Sequence, residues 1–129
     1  TEKRPNMTDE QNAYLAKALR DNRDVRWTFV FLHRPLWEEK EVYGWTTFEQ
    51  SLQGRPYTVI AGHVHNYTKS IRYGREYYTV ATTGGSSQLR GIEYGEFDHI
   101  LWITMTNEGP RIAILMCNGI QDTNIRIKE

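Results

Sequence analysis

Two short apolar segments, each followed at once by a histidine motif, constrain this fold more than any other feature of the sequence. The first covers residues 27–32 and ends at His33-Arg34-Pro35, where the proline cannot donate to a strand ladder. The second covers residues 57–61 and ends at Gly62-His63. Apolar runs of this length are typical of strands that are covered on both faces. The sequence therefore predicts two central strands of one sheet.

Two helices are predicted around these strands. Thr8-Asp9-Glu10-Gln11 fits a capping box, with Thr8 as the N-cap and Gln11 at the third helical position. The apolar residues that follow fall on one helical face, which predicts an amphipathic helix over residues 9–22. A second short helix is expected over residues 46–53, closed by Gly54.

The second half of the sequence has the pattern of antiparallel hairpins. Residues 70–73 and 76–82 flank Gly74-Arg75, and residues 99–106 and 111–117 flank a turn at residues 107–110. The predicted fold class is therefore α/β, leaning towards α+β, with a mixed sheet, two antiparallel hairpins and few helices. At 129 residues the chain is expected to form one domain, residues 1–129.

Composition excludes several classes of function. Lys plus Arg and Asp plus Glu both number 16, so the formal net charge is +0 and no bulk attraction to nucleic acid or anionic membrane is expected. The longest apolar run, residues 112–117, is far shorter than the roughly 20 residues that span a bilayer. One cysteine, Cys117, excludes an intramolecular disulfide framework. A soluble globular domain is the expectation that remains.

The Gly62-His63-Val64-His65 motif is the first candidate for chemistry. In an extended segment, side chains two residues apart point to the same side, with Cα atoms roughly 7 Å apart. Two imidazoles placed in this way can each hold one ion of a two-metal site, and Gly62 permits a sharp turn at the strand end. The alternative is a pair of solvent-facing histidines on a loop.

His33 adds weight to the metal hypothesis. It follows a strand as His63 does, so the two side chains meet at one edge of the sheet if their strands are neighbours. His33, His63 and His65 would then converge in one cleft. The remaining histidine, His99, is expected to be structural or solvated.

These motifs resemble those of the calcineurin-like metallophosphoesterases, in particular the purple-acid-phosphatase-like branch, and the resemblance covers most of the chain. It is carried by three segments: Phe31-Leu32-His33-Arg34-Pro35-Leu36-Trp37, Ile60-Ala61-Gly62-His63-Val64-His65-Asn66-Tyr67 and Thr83-Gly84-Gly85-Ser86. The resemblance implies a four-layer α-β-β-α sandwich that hydrolyses phosphoric mono- or diesters. It also implies that His33 and His63 bind one metal ion and His65 a second, the metals being Mn, Fe or Zn.

The sequence departs from the family pattern in one respect. Three of the five family blocks, namely Asp-x-His, Gly-Asp and Gly-Asn-His, do not occur in the 129 residues. We therefore expect the chain to be the C-terminal half of such a domain. Without a bridging carboxylate, two dications would repel each other, so this chain alone is expected to hold at most about one ion and to be inactive or poorly active.

Substrate-binding residues are predicted beside the histidines. Arg34 can pair with a phosphate, the alternative being a solvated or ion-paired residue at a strand end. Gly84 and Gly85 can present backbone N–H groups to an anion, the alternative being a plain turn. The histidines that protonate the leaving group in many purple acid phosphatases have no counterpart in residues 37–41.

Two other hypotheses stay open. In the first, the chain is a non-catalytic β-rich module that self-associates as a homo-oligomer or pairs with a missing N-terminal half, since exposed sheet edges pair readily. In the second it is a one-metal, three-histidine binder without hydrolytic activity. The sequence identifies neither the substrate nor the compartment; the branch that it resembles is often exported.

Overall fold

The computed structural model describes residues 6–128 as two helices, eight strands and two single 3-10 turns. The helices are α1 (Asp9–Asp21) and α2 (Trp45–Ser51). The strands are β1 (Thr28–Leu32), β2 (Tyr57–Ala61), β3 (Thr68–Arg72), β4 (Arg75–Thr79), β5 (Ile100–Thr106), β6 (Gly109–Met116), β7 (Gly119–Asp122) and β8 (Ile127–Lys128). Within residues 6–128, neither helix is long and apolar enough to cross a membrane.

The strands form two sheets. The larger is mixed, in the order β1-β2-β4-β3-β8, and β1, β2 and β4 run parallel while β3 is antiparallel to β4. The smaller is antiparallel, in the order β5-β6-β7. The prediction of a mixed α/β fold with a mixed sheet, antiparallel hairpins and few helices is confirmed. The four-layer sandwich stays a prediction.

The core lies on both faces of the larger sheet. On one face, Tyr57 and Val59 of β2 pack with α2, whose Phe48 is buried. On the other face, Ile60 of β2 packs with Ile114 from the smaller sheet. Alternate residues of β2 therefore belong to different clusters, and all five of its residues are buried, as predicted.

Helix α1 begins as its sequence predicts. The Thr8 hydroxyl accepts the Gln11 backbone N–H at 3.1 Å, and the Gln11 side chain accepts the Thr8 N–H at 2.9 Å, which completes the capping box. The helix ends at Asp21, within one residue of the predicted end. Leu15 and Leu19 pack against the cluster around α2. Helix α2 begins one residue before the predicted start and ends two residues before the predicted end.

The prediction that residues 27–32 form a central strand is wrong. Strand β1 pairs with β2 alone among the described strands, so it lies at the edge of the sheet. Val30 and Leu32 pack towards the helices, but Phe31 is 71% exposed on the opposite face. An apolar run predicts a buried strand. It does not predict how many other strands will pair with that strand in the sheet.

Both predicted hairpins form, with different turns. Tyr73 and Gly74 have φ of +50° and +70°, which places the first turn one residue earlier than predicted. Two left-handed residues are typical of the type I′ turn, whose twist matches paired strands. The second hairpin turns at Asn107-Glu108, and Gly109 already belongs to β6. Strands β7 and β8 were not predicted, since they are only four and two residues long.

Candidate metal centre

His33 and His63 lie together because their strands are parallel neighbours. Leu32 at the end of β1 is opposite Ala61 at the end of β2, so the chain leaves both strands at the same edge of the sheet. The Gly62 N–H donates to the His33 carbonyl at 3.1 Å and fastens the two strand ends to each other. His33 and His63 therefore lie at the same edge of the sheet, as predicted.

The two imidazoles are in direct contact. Their ring centroids lie 4.9 Å apart with an interplanar angle of 72°, and His33 Nε2 is 3.1 Å from His63 Nδ1. The Arg34 Nε–H donates to His63 Nε2 at 3.1 Å. Because a guanidinium has donors only, His63 Nε2 must accept, which leaves the His63 proton on Nδ1, donated to His33. Hydrogen bonding thus runs from Arg34 through His63 to His33.

The backbone around His63 is not extended, which corrects the geometry assumed for this motif. His63 and His65 have φ of +71° and +54°, in the left-handed region that side chains other than glycine enter at a cost of roughly 1–2 kcal/mol each. The sharp turn is therefore made at His63 itself, whereas Gly62 keeps a negative φ. Two strained residues in one loop are a common mark of a functional site.

His65 hydrogen-bonds to the loop that follows β4. Its Nδ1 lies 2.6 Å from the Ser86 carbonyl oxygen, in the loop that follows β4. A carbonyl can only accept, so Nδ1 carries the proton and Nε2 keeps its lone pair. This arrangement, with Nδ1–H on a backbone carbonyl, is the one that commonly orients a metal-binding histidine.

The residues fit a metal ion only in part. Across residues 6–128, no group of three or more His, Cys, Asp or Glu side chains is arranged to hold one. Imidazole suits iron and zinc, and His65 offers an unprotonated nitrogen. Both nitrogens of His63 are already engaged, however, one of them by the cationic Arg34. The Arg34 side chain would have to turn away before His63 could bind an ion.

Arg34 also contacts a carboxylate that the sequence analysis did not single out. Its Nε lies 3.8 Å from Glu39 Oε1. Glu39 belongs to the short charged stretch Glu38-Glu39-Lys40-Glu41, whose composition is typical of a solvated surface. The observed ion pair matches the alternative considered for Arg34, and its phosphate-binding role stays a prediction.

The Gly84 N–H already has an anionic partner within the chain. It donates to Asp98 Oδ1 at 3.0 Å, and the Thr82 hydroxyl donates to the same oxygen at 2.8 Å. These two donors hold the pKa of the Asp98 carboxyl below its usual range. Gly85 follows in the same exposed loop, against Thr82. The loop does bind an anion with its backbone, and that anion is a side chain fourteen residues away.

His99 has the structural character expected of it. It is 5% exposed, its Nδ1 lies 3.0 Å from the Phe97 carbonyl, and its ring packs edge-on against Tyr67. Its Nε2 is buried without a hydrogen-bond partner in the described part of the chain. Burial lowers the pKa of His99, so the imidazole is held neutral.

In comparisons with known proteins, no family model, no curated protein sequence and no solved structure matches this chain.

Proposed function

We propose that this chain supplies histidine ligands to the metal centre of a phosphoester hydrolase related to the calcineurin-like metallophosphoesterases. The observation that carries the proposal is the contact between His33 and His63, which project from the ends of two adjacent parallel strands. Ligands of open α/β sheets bind at this edge, outside the carboxyl ends of the strands. The substrate class is a phosphoric mono- or diester.

In this proposal His33 and His63 bind one ion, and His65 offers Nε2 to a second. Mn, Fe and Zn are the metals proposed, of which imidazole best suits Fe and Zn. When bound, such an ion acts as a Lewis acid towards a phosphoryl oxygen. The hydrogen bond from His65 to Ser86 fixes the tautomer and the direction of its ring.

Arg34 has two roles in the proposal. Without metal, it occupies His63 Nε2 and holds the ring in place. When it turns away, its guanidinium can form paired hydrogen bonds to a phosphate, the planar recognition that suits this side chain. Glu39 Oε1, 3.8 Å from Arg34 Nε, is positioned to orient the guanidinium while it contacts His63.

Charge limits what these ligands do by themselves. Three neutral imidazoles compensate none of the charge of two dications, so we expect this chain alone to bind at most about one ion, weakly. The carboxylate ligands of a complete centre would come from another polypeptide segment. Hydrolysis by this chain alone is expected to be slow or absent.

A zinc titration followed by calorimetry tests the proposal. We expect about one ion to bind per chain and His63→Ala to abolish that binding. Val64→Ala is the matched control, because Val64 is exposed in the same loop and carries no ligand atom. Unchanged zinc binding in His33→Ala and His63→Ala would contradict the proposed ligand set.

The second candidate function is a one-metal, three-histidine binder that has no hydrolytic activity. It is favoured by the chemistry of the three predicted ligands, since neutral imidazoles do not offset the charge of a second ion. The two candidates are separated by hydrolysis of p-nitrophenyl phosphate and bis-p-nitrophenyl phosphate with added manganese. Stoichiometric metal binding without turnover above buffer, even with the complementary segment present, would favour the binder.

A further inference from the structure

The outer strand of the smaller sheet is open. Strand β5 pairs with β6 alone in the described part of the chain, so one of its edges has no strand beside it. We propose that two copies of this chain pair antiparallel along β5 and form one continuous six-stranded sheet. This inference is independent of the proposed metal chemistry.

The pairing register identifies the groups that face the open edge. Thr106 is opposite Gly109 and Met116 is opposite Gly119, each across a two-residue turn. Hydrogen-bonded pairs alternate from such a turn, so even-numbered residues of β5 bond to β6. The backbone N–H and C=O groups of Leu101, Ile103 and Met105 therefore point to the open edge.

Strand β5 lacks the features that usually protect an edge. Its seven residues include no charge and no proline, and its ladder with β6 is unbroken. Protected edges carry charges, prolines or bulges, or are very short. By contrast, β7 at the other edge has four residues, contains Asp122 and leads into a 3-10 turn that contacts the larger sheet through Tyr67. Both outer strands of the smaller sheet are edges in the described part of the chain, and β5 is the longer and less protected of the two.

The outward face of β5 is apolar as well as open. Ile100 is 47% exposed and Trp102 is 58% exposed, and Ile120 of β7 on the same face is 72% exposed. Isolated exposed apolar residues are common, but a contiguous group beside an unpaired edge is typical of an interaction surface.

A second copy of β5 fits this edge by symmetry. A twofold axis at Ile103 places Trp102 opposite Thr104 of the second copy and Ile100 opposite Thr106. The outward-facing residues of one copy then lie opposite outward-facing residues of the other, as a continuous sheet requires. No like charges meet along the seven paired residues, which all lack charge.

A cation–π contact on the outward face is compatible with the same partner. Arg111 of β6 is paired with Thr104 of β5, and the Arg111 side chain is 73% exposed. In the paired sheet it lies two strands from Trp102 of the second copy, within reach of a long side chain over an indole. Its present partner, Glu108, is 3.5 Å away and 85% exposed, so that ion pair contributes little.

Sedimentation equilibrium of the wild-type chain tests the pairing. We expect a monomer–dimer equilibrium that Ile103→Pro weakens about a hundredfold, because proline removes one edge-facing N–H from each copy and leaves the β6 ladder intact. Ile103→Val is the control, since it keeps the N–H, and its dimerisation should remain near that of the wild type. A wild-type chain that stays monomeric at high concentration would overturn the proposal.

Disulfide trapping tests the register without relying on the proline variant. In a Cys117→Ser background, Ile103→Cys places two thiols at the twofold axis, and mild oxidation should give a covalent dimer. Thr106→Cys is the matched control, because residue 106 faces residue 100 of the second copy and should not cross-link. A dimer that cross-links through residue 106 and not through residue 103, or that Ile103→Pro leaves unchanged while the variant stays folded, would refute pairing along β5. Higher oligomers with no cross-link at residue 103 would do the same.

Discussion

The imidazoles of His33 and His63 contact each other, with His33 Nε2 lying 3.1 Å from His63 Nδ1. Thirty residues separate the two histidines in sequence, and parallel pairing of β1 with β2 brings them together. Arg34 completes the arrangement by donating to the other nitrogen of His63. The site therefore holds a cation where a metal ligand would need its lone pair.

Removing the Arg34 charge should strengthen metal binding. Arg34→Met keeps the aliphatic stem, frees His63 Nε2 and removes a positive charge a few ångströms from the ion, and we expect zinc affinity to rise about tenfold. Phosphate affinity should fall in the same variant. Calorimetric titrations with zinc and with inorganic phosphate measure both effects. Arg23→Met, at an exposed position beyond α1, should change neither, and a weaker zinc affinity in Arg34→Met would contradict the blocking role.

Glu49→Gln should destabilise the fold strongly. Glu49 is 3% exposed, accepts two hydrogen bonds from Arg72 at 3.0 and 2.9 Å, and accepts a third from the Tyr77 hydroxyl at 2.9 Å. The substitution removes the charge that compensates Arg72, whose side chain is 33% exposed, and weakens three hydrogen bonds to a buried side chain. We therefore expect a loss of about 2 kcal/mol in the free energy of unfolding. Urea denaturation measures it. The exposed control Glu108→Gln should stay within about 0.5 kcal/mol of the wild type.

Gly95→Ala should lower the free energy of unfolding more than Gly74→Ala, although the two glycines have nearly the same left-handed φ. Their φ values are +69° and +70°, so both substitutions cost roughly 1–2 kcal/mol from the left-handed conformation. A Cβ at Gly74 meets open space, whereas one at Gly95 collides with the Tyr67 backbone. We expect Gly95→Ala to lower the melting temperature by a clearly larger amount. Equal shifts would show that the Tyr67 segment moves freely.

Stability should fall at mildly acidic pH because of His99. Its pKa is lowered from 6.5 by burial, and its unpartnered Nε2 has no acceptor for a second proton within the described residues. Below about pH 6.5 the unfolded chain binds a proton that the folded chain does not, so stability is complete above this pH and decreases as the pH falls towards the lowered pKa. Thermal melts between pH 7.5 and about 5 in wild type and His99→Phe measure the effect.

The His99→Phe variant should show a flatter pH dependence than the wild type over that interval. Val64→Ala provides the control, since this exposed residue carries no titratable group and the variant should keep the wild-type slope. If the slopes of His99→Phe and wild type coincide, the acid sensitivity has another source.

The sequence predicted those elements whose cause is local. The Thr8 and Gln11 side chains are three residues apart and bond to each other's backbone, so the capping box could be identified from the residues alone. The apolar run of β2 predicted a fully buried strand for the same reason. The placement of His33 and His63 after apolar strands was visible in the sequence, and the parallel pairing of those strands brought the two rings into contact.

Contacts between distant residues were decided by the tertiary structure. Residues 27–32 have the same apolar character as β2, yet β1 lies at the sheet edge with Phe31 exposed, because neighbours are assigned by packing and not by the strand's own residues. Asp98 reaches the Gly84 N–H, and His65 turns to Ser86, through loops whose conformation no local pattern encodes. Hydrophobic spacing and capping act within a few residues and can be recognised in a sequence, whereas sheet order and loop hydrogen bonds depend on residues that only the folded chain brings together.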